Sequence, residues 1–268
     1  MGTEFNERVA KVAVDIIETI KERLVANDVS HAEYRAAWTF ANRLAESGEL
    51  PLFLDVFFEA TAERTTFDNL PGSAGSVQGP YHLDDHQELL LPYRMPMRPD
   101  EPGEPFLFTG RITDLDGRPL AGATVDAWHA GNDGTYSGFN PAAPQGNLRG
   151  IMATDSNGVV RFASVRPAPY QIPHSGPTGE FLLMIGRHAW RPAHFHFMLS
   201  KDGYQPLTTQ IYFRDDETIA GQGDIAEAVK DSLLIEVGTG DDPTIAAEYG
   251  LPIPYQTGNY TWALRPAG

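Results

Sequence analysis

The sequence predicts an α+β protein in which a helical N-terminal part is followed by a mostly antiparallel β-sandwich. Three observations carry that expectation. Apolar residues recur every third or fourth position in segments between residues 5 and 63, and glycine and proline crowd the stretch 69–105. From Phe106 onward, short β-type runs are punctuated by turn signals about every ten residues, the texture of a sandwich.

Taken in order, Phe5, Val9, Val12, Ile16, Ile20 and Leu24 fall on one face of a helix over residues 5–26. A second helix starts after Ser30, whose hydroxyl caps the first turn while Glu33 closes a capping box, and Gly48 is its natural stop. A third, over 51–63, carries Phe53, Leu54, Val56, Phe57 and Phe58. That is more apolar surface than one exposed helix hides, so these helices either pack on the rest of the chain or join two chains. Pro92, Pro96, Pro99, Pro102 and Pro105 forbid a helix and mark an extended connection. The expected organisation is a helical dimerisation and linker region over 1–100 and a β-sandwich domain over 101–268. Strands are expected at 106–113, 123–128, 150–154, 159–163, 181–185, 194–199, 208–213, 233–237 and 260–264, with turns at 114–118 and 155–158 and no internal repeat.

Composition narrows the chemistry. The chain has no cysteine, so disulfide frameworks, iron-sulfur clusters and thiolate ligands are excluded, and any metal is held by His, Tyr, Asp or Glu. Thirty-six acidic against twenty basic residues give a net charge of -16, which repels nucleic-acid phosphates and anionic lipid. No apolar run approaches the roughly 18 residues of a membrane span, and Glu4 and Glu7 stand where a signal peptide is basic. The expectation is a soluble cytoplasmic protein without membrane insertion or nucleic-acid binding.

Within that frame, Arg191-Pro-Ala-His194-Phe-His196-Phe stands out. On a strand, residues i and i+2 share a face, so His194 and His196 present two imidazoles together while Phe195 and Phe197 pack the other way. A bare His-x-His is equally an ordinary strand with two polar residues, but the bulky flanks argue for burial, and a buried imidazole pair needs partners. Two tyrosines sit in irregular sequence: Tyr136 follows the strand ending at Trp128, and Tyr170 is bracketed by prolines that freeze the backbone and aim the side chain. A phenol titrates near pH 10, and only a bound cation ionises it at neutrality. Two phenolates and two neutral imidazoles would leave a trivalent ion largely compensated, with hard oxygen donors favouring ferric iron.

These residues carry a family resemblance. Trp128-His-Ala-Gly-Asn-Asp-Gly-Thr-Tyr136-Ser, Pro169-Tyr170-Gln-Ile-Pro173, Gly176-Pro-Thr-Gly179, Gly186-Arg-His188, the Arg191 to Phe197 stretch and Leu207-Thr-Thr-Gln210 resemble the intradiol ring-cleaving dioxygenases, specifically the catechol 1,2-dioxygenase group. Residues 51–59 and Gln78-Gly-Pro80 fit as well, so the resemblance covers nearly the whole chain. It implies Fe(III) ligated by Tyr136, Tyr170, His194 and His196, with Tyr170 matching the tyrosine that leaves when a catechol binds. Arg191 corresponds to a cation beside the ring and Gln210 to a second pocket residue, while a surface ion pair remains the plain reading of Arg191. The implied pocket walls are Leu52, Asp55, Val56, Gly79, Tyr81 and Ala226. His129, His174 and His188 read as polar neighbours or hydrogen-bonding supports rather than ligands. The implied substrates are a catechol and O2, the products cis,cis-muconates, and the assembly a homodimer through the N-terminal helices, sometimes with lipid held between them.

Stretches 96–103, 169–173 and 79–81 look closest to the chlorocatechol branch, which implies a broad enzyme for catechol and small methyl- or chloro-substituted catechols. Pro173-His-Ser-Gly-Pro177 is similar to hydroxyquinol 1,2-dioxygenases, whose product is maleylacetate, although His129 stands where that branch has an acidic or amide residue. Two other classes compete. A cupin needs a Glu a few residues after His-x-His, and residues 197–201 offer none. A non-catalytic immunoglobulin-like binding module shares the strand-turn-strand at 110–125 but has no use for aimed tyrosines.

Overall fold

The computed structural model describes residues 5–84 and 86–268; Glu4, weighed above against a signal peptide, lies outside them. The chain divides into two compact units, Met1–Leu50 and Pro51–Gly268, so residues 51–100 belong to the same unit as the sandwich. The first unit holds α1 (Glu7–Ala26) and α2 (His31–Glu46). Asn6 accepts from Val9 N to cap α1, and the capping box of Ser30 and Glu33 opens α2 in full. Gly48 follows the second helix in the left-handed region, where glycine alone pays no steric penalty. Val9, Val12, Ile16 and Ile20 of α1 are exposed.

The helical run 51–63 takes a form the periodicity does not reveal. It comprises α3 (Leu50–Leu54), a π-turn at Asp55–Glu59 and α4 (Ala60–Phe67). A π-turn rotates the following residues relative to a continuous α-helix and is common at functional sites. It leads into the extended connection and β1 (Tyr93–Arg94). The sandwich then follows with β2 (Pro105–Thr113), β3 (Thr124–His129), β4 (Arg149–Ala153), β5 (Val159–Val165), β6 (Tyr170–Gln171), α5 (Pro177–Met184), β7 (Trp190–Arg191), β8 (His194–Ser200) and β9 (Leu207–Phe213). Next come α6 (Glu217–Gly221), β10 (Leu234–Ile235), β11 (Gly238–Gly240), α7 (Pro243–Tyr249) and β12 (Tyr255–Ala263). Among the described residues no helix is long and apolar enough to cross a membrane.

One sheet runs β1-β5-β2-β12-β11 and the other β10-β9-β8-β3-β4, with β6 and β7 forming a separate ribbon. The pairing is mixed rather than purely antiparallel, because β1–β5, β12–β2 and β10–β9 are parallel. Phe106, Phe108, Phe162 and Trp262 of one sheet meet Phe195, Phe197, Ile211 and Phe213 of the other in one buried cluster. The alternation along β8 therefore assigns Phe195 and Phe197 to the inter-sheet core and leaves His194 and His196 on the opposite face.

Residues 181–185 are expected as a strand; Phe181 to Met184 instead form the second half of α5, and Ile185 is its C-cap. Pro177 at the first turn is preorganised for a helix, and Phe-Leu-Leu-Met-Ile is too short a run for period alone to separate the two states. Phe181 packs edge-on against Phe53 and Phe57, fixing α5 to α3 and the π-turn. The run 233–237 shrinks to the two residues of β10. Conversely α7 was overlooked, although Asp242 caps it, Pro243 opens it and Gly250 closes it at positive φ.

Gly110 of β2 tests the packing. An added Cβ would collide with the Trp262 ring and stand 3.1 Å from Val160 Cγ1. Gly110→Ala is expected to cost about 1–3 kcal/mol through overpacking, read as a lower midpoint in urea unfolding; an unchanged midpoint contradicts this packing.

Candidate metal centre

Three strands lay out the floor of the site. Register places Trp128 of β3, His196 of β8 and Gln210 of β9 in one row, with His194 opposite Tyr212. Trp128 stacks on the His196 ring, centroids 4.7 Å apart and planes at 8°. His194 Nδ1 donates to the Pro192 carbonyl at 2.7 Å, and Gln210 Nε2 lies 3.2 Å from His196 Nδ1. Nδ1 of each ring thus faces the protein, and the two Nε2 atoms face each other at 3.0 Å. Tyr136, from the loop after β3, brings its hydroxyl to 3.1 Å from His196 Nε2. Tyr170, on β6, is hydrogen-bonded to Tyr136 and sits with its ring 5.8 Å from that of His194. The structure therefore brings together all four expected ligands, and all four are buried.

Burial sets the protonation states. It pushes His194 down to about 3 and His196 well below its ordinary value, with the Arg191 charge adding to both effects, so the imidazoles are neutral and keep lone pairs for a cation. The same burial raises Tyr136 and Tyr170, although Arg191 pulls Tyr170 back. Two neutral imidazoles and two phenols that ionise only beside a strong positive charge fit a hard trivalent cation and give a monovalent ion little advantage.

Arg191 is buried, and its partners are more than a surface pair. Nε and Nη2 each donate to Asp224 at 3.0 Å, Nη2 also reaches Gln210 Oε1 at 2.9 Å and the Tyr212 hydroxyl at 3.0 Å, and Nη1 stands 3.4 Å from His194 Nε2. Gln210 in turn donates to the Val77 carbonyl at 2.7 Å. Asp224 and Tyr212 were not singled out from the sequence. Tyr212 was readable, since it shares a strand face with Gln210; Asp224 lies in irregular chain where no period points anywhere.

Around this floor the expected pocket residues are mostly present. Val56, with Leu52 and Tyr81 packed beside it, belongs to the apolar cluster of Tyr136, Tyr170 and Trp128. Tyr81 stacks on Tyr136 at 4.3 Å. Gly79 has φ +70, and a Cβ there would stand 3.6 Å from His196 Cε1, which places this backbone against the site. Asp55 lies in the π-turn, its carboxyl raised by burial, as is that of Glu59, which also feels Arg191. Ala226 instead packs with Ala60, Val77 and Ala228, and meets the centre through its N–H to Asp224 at 3.1 Å.

The other histidines have separate duties. His129 points to the inter-sheet side, edge-on to Phe195. Its Nδ1 donates to the Ala130 carbonyl and its Nε2 accepts from Ser164, both at 2.7 Å. His188 donates to Gln222 O at 2.9 Å and accepts from Trp190 N at 3.0 Å, while His174 Nδ1 donates to Ile172 O at 3.0 Å. His82, His86 and Asp126 form a second compact group, with ligand-type atoms within 4.8 Å of one another. Arg149 Nη1 lies 3.3 Å from His86 Nε2, and a guanidinium only donates, so the His86 proton sits on Nδ1 and goes to Asp126. His82 Nε2 donates to the other carboxylate oxygen at 3.1 Å. All three side chains thus have hydrogen-bond partners within the protein.

Comparison with known proteins follows the same lines. A family model described as Dioxygenase matches residues 77–265. The chlorocatechol 1,2-dioxygenase of Rhodococcus opacus is 39% identical over 87% of this chain and 91% of its own. The crystal structure of 3-chlorocatechol 1,2-dioxygenase from Rhodococcus opacus superposes with a TM-score of 0.90 and 38% identity, covering 97% of this chain and 99% of that one. That of hydroxyquinol 1,2-dioxygenase from Pseudomonas putida gives a TM-score of 0.88 at 27% identity, over 99% and 94% of the two chains.

His129 supplies a pH test. Burial lowers its pKa to about 4, so as pH falls from neutrality the unfolded chain binds the proton first and stability is lost through the window from about 6.5 down to 4. Over that span the loss is on the order of 3 kcal/mol. Denaturant unfolding at pH 7.5, 5.5 and 4.5 should show it, with a flatter profile for His129→Gln; equal slopes would remove His129 as the cause.

Proposed function

The chain belongs to the intradiol ring-cleaving dioxygenases of the catechol 1,2-dioxygenase type, and we propose that it holds Fe(III) through Tyr136, Tyr170, His194 and His196. Its substrates are then catechol and small methyl- or chloro-substituted catechols, opened with O2 between the hydroxylated carbons to cis,cis-muconates, in the cytoplasm. The observation that carries the reading is the convergence of two phenols and two neutral imidazoles at one buried point. These four side chains would hold the ion, and ferric iron would supply Lewis-acid chemistry there, making a bound catechol reactive toward dioxygen.

The side chains supply the rest. Tyr170, on the short ribbon beside Arg191, would be the ligand that gives way, its phenolate oxygen taking one catechol proton. Arg191, fixed with Nη1 toward the centre, stabilises negative charge as it develops on the ring, and Gln210 holds the guanidinium on its far side. Leu52, Val56 and Tyr81 exclude water over the ring, and Asp55 and Gly79 shape the rim. A methyl or chlorine in such a pocket is worth about 1–3 kcal/mol, enough to reorder substrates without excluding any.

Hydroxyquinol cleavage to maleylacetate is the second reading, favoured by the likeness to the Pseudomonas putida structure. His129 argues less strongly against it than its sequence position suggested, because the ring faces the inter-sheet core beside Phe195. The exposed apolar stripe of α1 supports a homodimer, with a lipid chain as an additional guest.

Purified protein is expected to hold about one iron per chain by the four-ligand count and to be coloured by phenolate-to-iron charge transfer, with the band altered in Tyr136→Phe. A colourless zinc protein would sink the assignment. Oxygen uptake with catechol should yield a muconate; a yellow semialdehyde means a different cleavage. In kcat/KM, the methyl- and chlorocatechols should match or exceed hydroxyquinol, and a hydroxyquinol preference above about tenfold, some 1.4 kcal/mol, transfers the assignment to the second reading. For the assembly, Ile16→Glu with Ile20→Glu should convert a sedimenting dimer into monomers.

A further inference from the structure

Asp224 has no ligand role and no contact assigned to substrate, yet it organises two parts of the site together. Its side chain is 1% exposed, and one carboxylate receives four donors. Oδ1 takes Arg191 Nε at 3.0 Å and Ala226 N at 3.1 Å; Oδ2 takes Arg191 Nη2 at 3.0 Å and Ala228 N at 3.2 Å. The guanidinium is planar, so engaging Nε and Nη2 on one carboxylate fixes its plane and leaves Nη1 as the edge that faces His194 Nε2, 3.4 Å away. The two backbone donors bring the segment carrying Ala226 to the same anchor.

We propose that Asp224 is a positioning residue of the ring-cleavage site, setting through one carboxylate both the direction of Arg191 and the place of the following segment, whose Ile225 packs with Val56, Tyr136 and Tyr170. The proposal rests on the reading of the site given above. Asn keeps one acceptor, but its amide N–H2 turns toward Arg191 Nη2 or Nε, donor against donor, so the clamp opens without a change of size. Gln210 and Tyr212 grip only Nη2, and one gripped nitrogen does not fix a plane.

The decisive measurement is the structure and kinetics of Asp224→Asn. Iron content and the charge-transfer band should match wild type, because no ligand is touched, while kcat falls about 10–100-fold, the usual cost of losing a buried supporting hydrogen bond. The preference between catechol and 4-methylcatechol should shift as the segment carrying Ile225 loosens, and crystals should show the Arg191 guanidinium turned and residues 225–228 displaced. In an Arg191→Gln background the same substitution should add less than about threefold, since coupled residues are not additive. An unmoved Arg191, wild-type kcat, or full additivity overturns the proposal. Should Asp224→Asn not fold, Asp224→Glu keeps the ion pair but displaces the guanidinium by a methylene; it should lose kcat with iron intact, and a wild-type rate again overturns the clamp. Wild-type protein that binds no iron or cleaves no catechol would instead overturn the functional reading, and the position of Arg191 in the variant crystals decides the clamp independently.

Discussion

The desolvation of two imidazoles is the constraint that the catalytic unit is arranged around. His194 and His196 lie on β8, which is paired on both sides by β9 and β3, so their backbone has no freedom to carry the rings out to water. A buried imidazole is tolerable only neutral and with both nitrogens engaged. The chain meets the first need by isolation from solvent and the second by facing Nδ1 toward Pro192 and Gln210 and Nε2 toward Tyr136 and the other imidazole. The opposite face of the same strand carries Phe195 and Phe197 into the inter-sheet core. Core packing and donor placement are thus one decision about register, and a one-residue slip of β8 would exchange aromatic rings and imidazoles between the two faces.

A second dependence runs through Arg191. A buried guanidinium without a counter-charge costs several kcal/mol, and Asp224 offsets it with two charge-assisted bonds. That pairing keeps a full positive charge beside four donors without driving it away from them. The Arg191 charge also adds to the burial that keeps both imidazoles neutral and draws down the pKa of Tyr170, which burial raises. The acidic surface takes no part in this: the net charge of -16 is spread over the whole chain, while the local field at the centre is that of one ion pair.

What the sequence revealed follows the range of the forces involved. The capping box at Ser30, the alternation at His194 and His196 and the proline bracket of Tyr170 are local devices, written within a few residues, and each folds as read. The failures are of two kinds. Residues 181–184 form a helix because contact with Phe53 and Phe57, more than a hundred positions away, decides a run whose own preference is ambiguous. Asp224 was invisible for a related reason: its importance lies in a partner 33 residues earlier, and nothing around it is periodic. The π-turn at Asp55–Glu59 left no mark either, since one extra residue in a helical turn changes direction without changing composition.

The π-turn bears on what the pocket selects. It gathers Asp55, Val56 and Glu59 into one turn, with Val56 in the apolar cluster over Tyr136 and Tyr170, and with Glu59 close enough to feel the Arg191 charge. The two sides of the cavity therefore differ in kind. Leu52, Val56 and the Tyr81 ring offer dispersion to a flat ring, with the Tyr81 hydroxyl as the one hydrogen-bonding group among these three side chains, whereas Arg191 offers charge on one side only. A ring that is uncharged away from its two oxygens suits the apolar wall; a carboxylate there would meet the half-buried acids Asp55 and Glu59, whose own pKa values are already raised by desolvation. Under the proposed function, selection would turn on size and apolar contact along Leu52, Val56 and Tyr81, and on negative charge only beside Arg191.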